Sequence, residues 1–93
     1  MDDRQLLRAV GRRIAELRRQ SGETQEEFSE RYGATAKFIR LVEAGGENLT
    51  LITLGKFAKA LRVSVAELLL PPETTRVAKG RPRGRKTSRR PRK

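Results

Sequence analysis

Twenty-two lysines and arginines stand against eleven aspartates and glutamates in this 93-residue chain, which has no cysteine and no histidine. The chemistry such a set offers is charged hydrogen-bond donation to anions, above all to phosphate oxygens and acceptor-bearing base edges. Disulfides, thiolate or imidazole metal sites and the usual catalytic triads are excluded. No nucleophile–base pair is present, so neither an enzyme nor a bound metal or cofactor is expected. The cations are unevenly placed. Residues 1–73 hold twelve of them and all eleven acids, so this part is nearly neutral, whereas residues 74–93 hold the other ten.

The elements that must position these groups are legible in residues 25–44, QEEFSERYGATAKFIRLVEA. Apolar residues fall at Phe28, Tyr32, Ala34, Ile39 and Val42, with Gly33 between the two halves. Phe28 and Tyr32 are one helical turn apart, as are Ile39 and Val42, so each short helix has one buried stripe. Gly33 can take a positive φ without a Cβ clash, as a sharp turn between helices requires. Such a pair leaves its second helix free to enter a DNA major groove. The spacing therefore predicts a helix-turn-helix and sequence-specific DNA binding.

The remaining body reads as three more helices. The first is expected from Asp3 to Gln20, with Leu6, Val10, Ile14 and Leu17 inward, Leu7 beside them, and Arg4, Arg8, Arg12, Arg13 and Arg19 on the other faces. Thr24 caps the second helix, and Glu27 three residues later completes a capping box. Thr35 is the expected N-cap of the third, which Gly45-Gly46 closes. Thr50 opens a fourth helix with Leu51, Leu54, Phe57, Ala58 and Leu61 as its buried stripe. Ser64 and Glu67 predict a second capping box for a short fifth helix carrying Val65, Leu68 and Leu69, stopped by Pro71-Pro72. No segment alternates long enough for a strand. The fold class is all-α, a compact five-helix domain over residues 1–72, with Leu6, Val10, Ile14, Leu17, Phe28, Ile39, Val42, Leu54, Ala58, Leu61 and Leu68 as its core.

Beyond the two-helix spacing, IAELRRQSGETQEEFSERYG, IRLVEAG and ENLTLITLGKFAKALRVSVAELL together resemble the Cro/C1-type, lambda-repressor-like helix-turn-helix family, also called the Xre family, over about residues 8–70. The resemblance implies that the second helix crosses the DNA backbone and the third enters the major groove. It also implies a dimer on a near-palindromic site. Carried over position by position, it makes Gln25 a phosphate anchor, beside the cap Thr24, and places Ala36, Lys37 and Leu41 against base edges, with Thr35 and Arg40 alongside. Lys37 and Arg40 can donate to guanine O6 and N7, whereas Ala36 and Leu41 offer only apolar contact, such as to a thymine methyl. Asn48, in the loop before the fourth helix, becomes a phosphate or base-edge contact or serves the turn alone. Arg18 and Glu43 match a pair that ties the first helix to the third. Ser29 stands where the family usually has a small alanine, so its hydroxyl needs a partner. Leu49 replaces a frequent proline. With Ala36 and Leu41 in two reading slots, direct readout is modest, and DNA shape or the tail supplies the rest. The acids Glu23, Glu26 and Glu30 are expected to face solvent, since they would repel phosphate.

Residues 73–93 are rich in Arg, Lys, Pro, Gly and Ser and almost devoid of apolar residues, a composition expected to be disordered in isolation. Within them KGRPRGRK, residues 79–86, resembles an AT-hook, with Gly80-Arg81-Pro82 as its core and Lys79, Arg83, Arg85 and Lys86 flanking it. Narrow A·T minor grooves attract arginine by their enhanced negative potential. A sequence-blind phosphate binder is the equal alternative; RNA, an acidic partner and plain solubility also remain open.

These observations point to a small transcriptional regulator, a repressor that acts as a dimer on double-stranded DNA. An antitoxin or a restriction-modification controller protein fits the same size, and a toxin or another regulator is then a possible protein partner. Two other classes stay open: a low-specificity architectural DNA-binding protein, and a protein-interaction module using Leu41 with Val65, Leu69 and Leu70. Apolar runs of only a few residues and an acidic, amphipathic N-terminus argue for no membrane span and no secretory signal. A cytoplasmic, nucleoid-associated location is expected.

Overall fold

A computed structural model describes residues 2–72 as five helices: α1 (Asp3–Gln20), α2 (Gln25–Tyr32), α3 (Ala36–Glu43), α4 (Leu51–Leu61) and α5 (Val65–Leu68). No strand occurs among the described residues. Helix starts follow the caps read from the sequence. Thr24 Oγ1 accepts from the Glu27 N–H at 3.0 Å while Glu27 Oε1 accepts from the Thr24 N–H at 2.9 Å, a complete capping box. Thr35 and Thr50 cap α3 and α4 through the N–H groups of Phe38 and Thr53. Asp2 and Gln5 make a further reciprocal box at α1. Each such cap is worth about 1 kcal/mol.

Ser64 accepts from the Glu67 N–H at 3.3 Å, but the reciprocal half of the expected second box is absent. The Glu67 carboxylate lies instead 3.9 Å from Arg13, which a longer-range charge pair explains.

The core joins Val10 and Ile14 of α1, Phe28 of α2, Ile39 and Val42 of α3, Leu54, Phe57 and Ala58 of α4, and Leu68 of α5. Leu17 and Leu61 are half-buried against it. Two expectations are corrected. Leu6 is 48% exposed, because the buried residues of α1 begin only at Val10. Leu51 is 77% exposed because, as the first residue of α4, it lies beyond the neighbours that cover Leu54 and Phe57. Helical phase alone does not reveal where a helix outruns its partners.

Arg13 is also not on an outer face. It is buried, paired with buried Glu16 at 2.7 Å, and its Nε donates to the Glu67 carbonyl at 3.0 Å. That bond adds a side-chain donor to a carbonyl that also accepts from the Leu70 N–H at 3.4 Å, and it secures the short helix to α1.

All four aromatic residues stack where α2, α3 and α4 meet. Tyr32 lies 4.5 Å from Phe57 and 5.8 Å from Phe28, and Phe38 lies 6.2 Å from Phe57, measured between ring centroids. Lys56 Nζ sits 4.8 Å above the Tyr32 ring. Burial pushes the Tyr32 hydroxyl above its ordinary value of 10.0. Because only the deprotonated form is disfavoured in the fold, stability is intact below about pH 10. It is lost as pH rises from there through the folded-state value, where the unfolded chain ionises first. Tyr32 is the one tyrosine and tryptophan is absent. A spectrophotometric titration of tyrosinate should therefore show a single midpoint above 10.0, and a midpoint at or below it would contradict this burial.

Candidate nucleic-acid interface

The turn between α2 and α3 is built as the sequence requires. Gly33 has φ +95°, and its N–H donates to the Ser29 carbonyl at 2.8 Å, as the Ala34 N–H does at 3.0 Å. Ser29 is buried where the two helices touch, and its hydroxyl donates to the Glu26 carbonyl at 2.7 Å. The partner demanded by a serine at that position is thus supplied within its own helix.

With Ile39 and Val42 buried, α3 presents Lys37, Arg40, Leu41 and Ala44 to solvent along one face, with Ala36 half-buried at its edge. Leu41 is 37% exposed, and its Cδ2 lies close to Gly46 of the following loop. Asn48 is exposed in that loop. A helix of eight residues whose outer face carries a lysine, an arginine and small or apolar side chains has the width and donors to enter a major groove.

Arg40 Nη1 lies 3.5 Å from Glu26 Oε2, and both side chains are more than half exposed. An exposed pair of this kind contributes at most about 1 kcal/mol, so exchanging it for a base or phosphate costs little. Glu26 thus reaches across to α3 instead of standing free. Glu23, expected in solvent, is half-buried and hydrogen-bonded by Arg31 at 2.7 and 2.9 Å. That guanidinium holds the Glu23 carboxyl below its ordinary value.

A buried junction fixes α3 relative to the rest. Arg18 Nε donates to Glu43 Oε2 at 2.7 Å and Nη2 donates to Oε1 at 3.1 Å, a bidentate pair, while Nη1 donates to the Glu23 carbonyl at 2.8 Å. Gln25 Nε2 donates to the same Glu43 Oε1 at 2.8 Å. One carboxylate therefore joins α1, the start of α2 and the end of α3. The Gln25 side-chain amide is turned inward onto Glu43, while its backbone N–H at the start of α2 has no partner among the described residues. Thr24 and Thr35 use their hydroxyl oxygens as caps, which leaves their hydroxyl protons for an outside acceptor.

Two glycines set how closely α1 approaches. A Cβ on Gly11 would lie 2.2 Å from the Val42 carbonyl oxygen and 2.8 Å from that of Glu43. Gly45, at φ +80°, lies against Arg8 so closely that a Cβ there would come within 2.7 Å of the Arg8 Cγ. Neither contact follows from the local sequence pattern. The available signal was a lone glycine inside the helical pattern of α1, which marks close backbone approach.

The tail residues Lys79, Gly80, Arg81, Pro82, Arg83, Arg85 and Lys86 lie outside the described residues. Among the described residues no group of acidic side chains could hold a metal ion, and no helix is long and apolar enough to cross a membrane.

Comparison with known proteins follows the same outline. The sequence profile HTH_3, described as Helix-turn-helix, matches residues 14–68. An uncharacterized HTH-type transcriptional regulator of Sinorhizobium fredii, y4dJ, is 44% identical over 75 residues, covering 81% of this chain and 94% of the relative. Among solved structures, the restriction-modification controller protein C.AhdI from Aeromonas hydrophila superposes with a TM-score of 0.67 at 32% identity, over 73% of this chain and 99% of its own. The hypothetical transcription factor NHTF from Neisseria gives a TM-score of 0.69 at 29% identity, over 81% and 86% of the two chains.

Proposed function

The chain belongs to the helix-turn-helix family HTH_3 of DNA-binding transcriptional regulators, and from that premise we propose that it is a sequence-specific repressor acting as a dimer on double-stranded DNA. The observation that carries this reading is the solvent face of α3. Lys37, Arg40 and Leu41 are exposed together on a helix held rigidly by the Arg18–Glu43–Gln25 junction. In this reading Lys37 and Arg40 donate to guanine edges, Ala36 and Leu41 make apolar contacts, and Thr24, Gln25, Thr35 and Asn48 meet phosphate. Gln25 does so through its backbone N–H, since its side chain is committed to Glu43.

A second copy has apolar surface to cover. Leu69 and Leu70 after α5, and Leu51 and Ile52 at the start of α4, are each more than half exposed. Residues 1–72 form the reading domain, and residues 73–93 add phosphate or A·T minor-groove contacts through Lys79, Gly80, Arg81, Pro82, Arg83, Arg85 and Lys86. A control function within a restriction-modification operon is the favoured specific role, because the likeness to C.AhdI covers almost all of that protein at 32% identity.

Lys37→Ala tests the reading helix. On a selected high-affinity duplex it should cost about 1–3 kcal/mol, roughly 5- to 150-fold. The loss on an unrelated duplex should be much smaller. Equal affinity of wild type and variant on the selected duplex would contradict the assignment.

A further inference from the structure

We propose that α1 carries a second DNA-contacting surface, a strip formed by Arg4, Arg8, Arg12 and Arg19 that holds the phosphate backbone beside the groove entered by α3. The inference rests on the DNA-binding reading and adds to it a surface outside the helix-turn-helix.

Arg4, Arg8 and Arg12 follow one another at four-residue intervals, and Arg19 lies two turns further on, so all four share one strip of the helix. All four are exposed. They also differ from four of the other five arginines of the helical bundle; the fifth, Arg62 at the end of α4, likewise has no carboxylate partner among the described residues. Arg13, Arg18, Arg31 and Arg40 each have a carboxylate partner, at 2.7, 2.7, 2.7 and 3.5 Å. None of the four strip arginines has one among the described residues. Of these four the helix dipole favours only Arg19, which lies in the last turn of α1. Arg4 sits in the first turn of α1, where the helix dipole disfavours a cation. The acids of α1 lie elsewhere: Asp3 is in its first turn and Glu16 is buried against Arg13.

The strip is placed by close backbone contacts. Arg8 packs directly on Gly45, the residue that ends the turn after α3, and Gly11 packs on the carbonyls of Val42 and Glu43. The N-terminal half of α1 therefore runs against the end of the reading helix, at the root of the loop that carries Asn48. Its other end, at Arg19, adjoins Arg18 and the short turn leading to Gln25. The strip thus borders the helix-turn-helix from the α3–α4 loop to the approach of α2. From Arg4 to Arg19 it is roughly 22 Å long at 1.5 Å per residue. One DNA strand presents a phosphate about every 3.4 Å of helix axis while winding round it, so a strip of this length can meet several phosphates. Guanidinium groups on one face of a helix, without carboxylate partners among the described residues, fit such a polyanion.

The test is the salt dependence of binding of the full chain to a labelled duplex several helical turns long, measured by anisotropy. Replacing all four arginines by glutamine should make the slope of log K against log salt shallower by about 3 to 4, since each phosphate contact contributes about 0.9. The all-lysine counterpart should retain the slope. A control pair, Lys59→Gln with Arg62→Gln, removes two exposed cations at the end of α4, outside the strip, and should change little. Should the glutamine variant lose its helical circular dichroism, Arg4→Gln/Arg12→Gln/Arg19→Gln leaves the Arg8–Gly45 contact intact and should still reduce the slope by about 2 to 3. An unchanged slope in a folded variant, or an equal reduction in the control pair, overturns the proposal while wild-type binding and its sensitivity to Lys37→Ala stand. Failure of the wild-type chain to bind duplex DNA at all overturns the DNA-binding reading itself and the strip with it.

Discussion

Glu43→Ala should destabilise the helical domain by about 3–5 kcal/mol, because it leaves the Arg18 guanidinium buried without its carboxylate. The Arg18 and Glu43 side chains are 9% and 7% exposed, so water cannot take the missing partner's place. The same substitution strands the Gln25 amide, which donates to Glu43 Oε1 at 2.8 Å. A domain of this size has about 4–10 kcal/mol in all, so a large part of the population should be unfolded in mild denaturant. The double replacement Arg18→Met/Glu43→Leu should recover most of the loss, since two apolar groups of similar volume need no mutual compensation. Urea melts of the three proteins check this. A loss below about 1 kcal/mol for Glu43→Ala would place the pair among exposed, weakly coupled charges. The junction would then be irrelevant to the posture of α3.

Gly11→Ala is the second large effect, and its sign is informative. In a solvent-facing stretch of helix, alanine for glycine stabilises by about 0.5–1 kcal/mol. At position 11 the added Cβ would meet backbone carbonyls of Val42 and Glu43 at 2.2 and 2.8 Å. A backbone cannot step aside as a flexible side chain does, so α1 and α3 must separate, with loss of the Val10, Ile14, Ile39 and Val42 packing. The expected cost is about 2–3 kcal/mol, a fall in Tm of roughly 10–20 °C. Gly55, in α4, has nothing within 4 Å of the equivalent atom. Gly55→Ala should therefore raise stability by about 0.5–1 kcal/mol. Thermal melts showing the same sign for both substitutions would contradict the close approach of α1 to the end of α3.

Much of this architecture is legible in the sequence, for local reasons. Caps, turn glycines and helical stripes act within four or five residues, and Thr24, Thr35, Thr50 and Gly33 do in the structure what their neighbours in sequence require. The pairing of Arg18 with Glu43 came from the family resemblance, not from spacing, because no local rule joins residues 25 positions apart. The readings that failed are those that depend on which elements end where. Leu6 and Leu51 have the correct helical phase yet stay exposed. Arg13 looks like a surface charge until α5 folds back over it and offers the Glu67 carbonyl. Phe57 belonged to the expected stripe but not to the expected core. It is fully buried because Phe28, Tyr32 and Phe38 converge on it from two other helices.

The site was legible to a similar depth. Residue types placed the donors Lys37 and Arg40 on α3, and the structure sets both in solvent on the face away from Ile39 and Val42. Sequence did not disclose that Gln25 turns its amide inward, or that Glu26 reaches Arg40. Both depend on the interhelix angle, which the α1–α3 glycine contact and the buried junction set from outside the motif.

The most direct measurement is selection of bound fragments from random genomic DNA, followed by sequencing, for the full chain and for residues 1–73. Recovery of one near-palindromic motif by both proteins is the predicted result, with weaker retention by the shorter one as ten cations are removed. Enrichment by the full chain alone, of A·T-rich DNA without a palindrome, would contradict the central claim. Binding would then reside in the basic tail, and α3 would not read sequence.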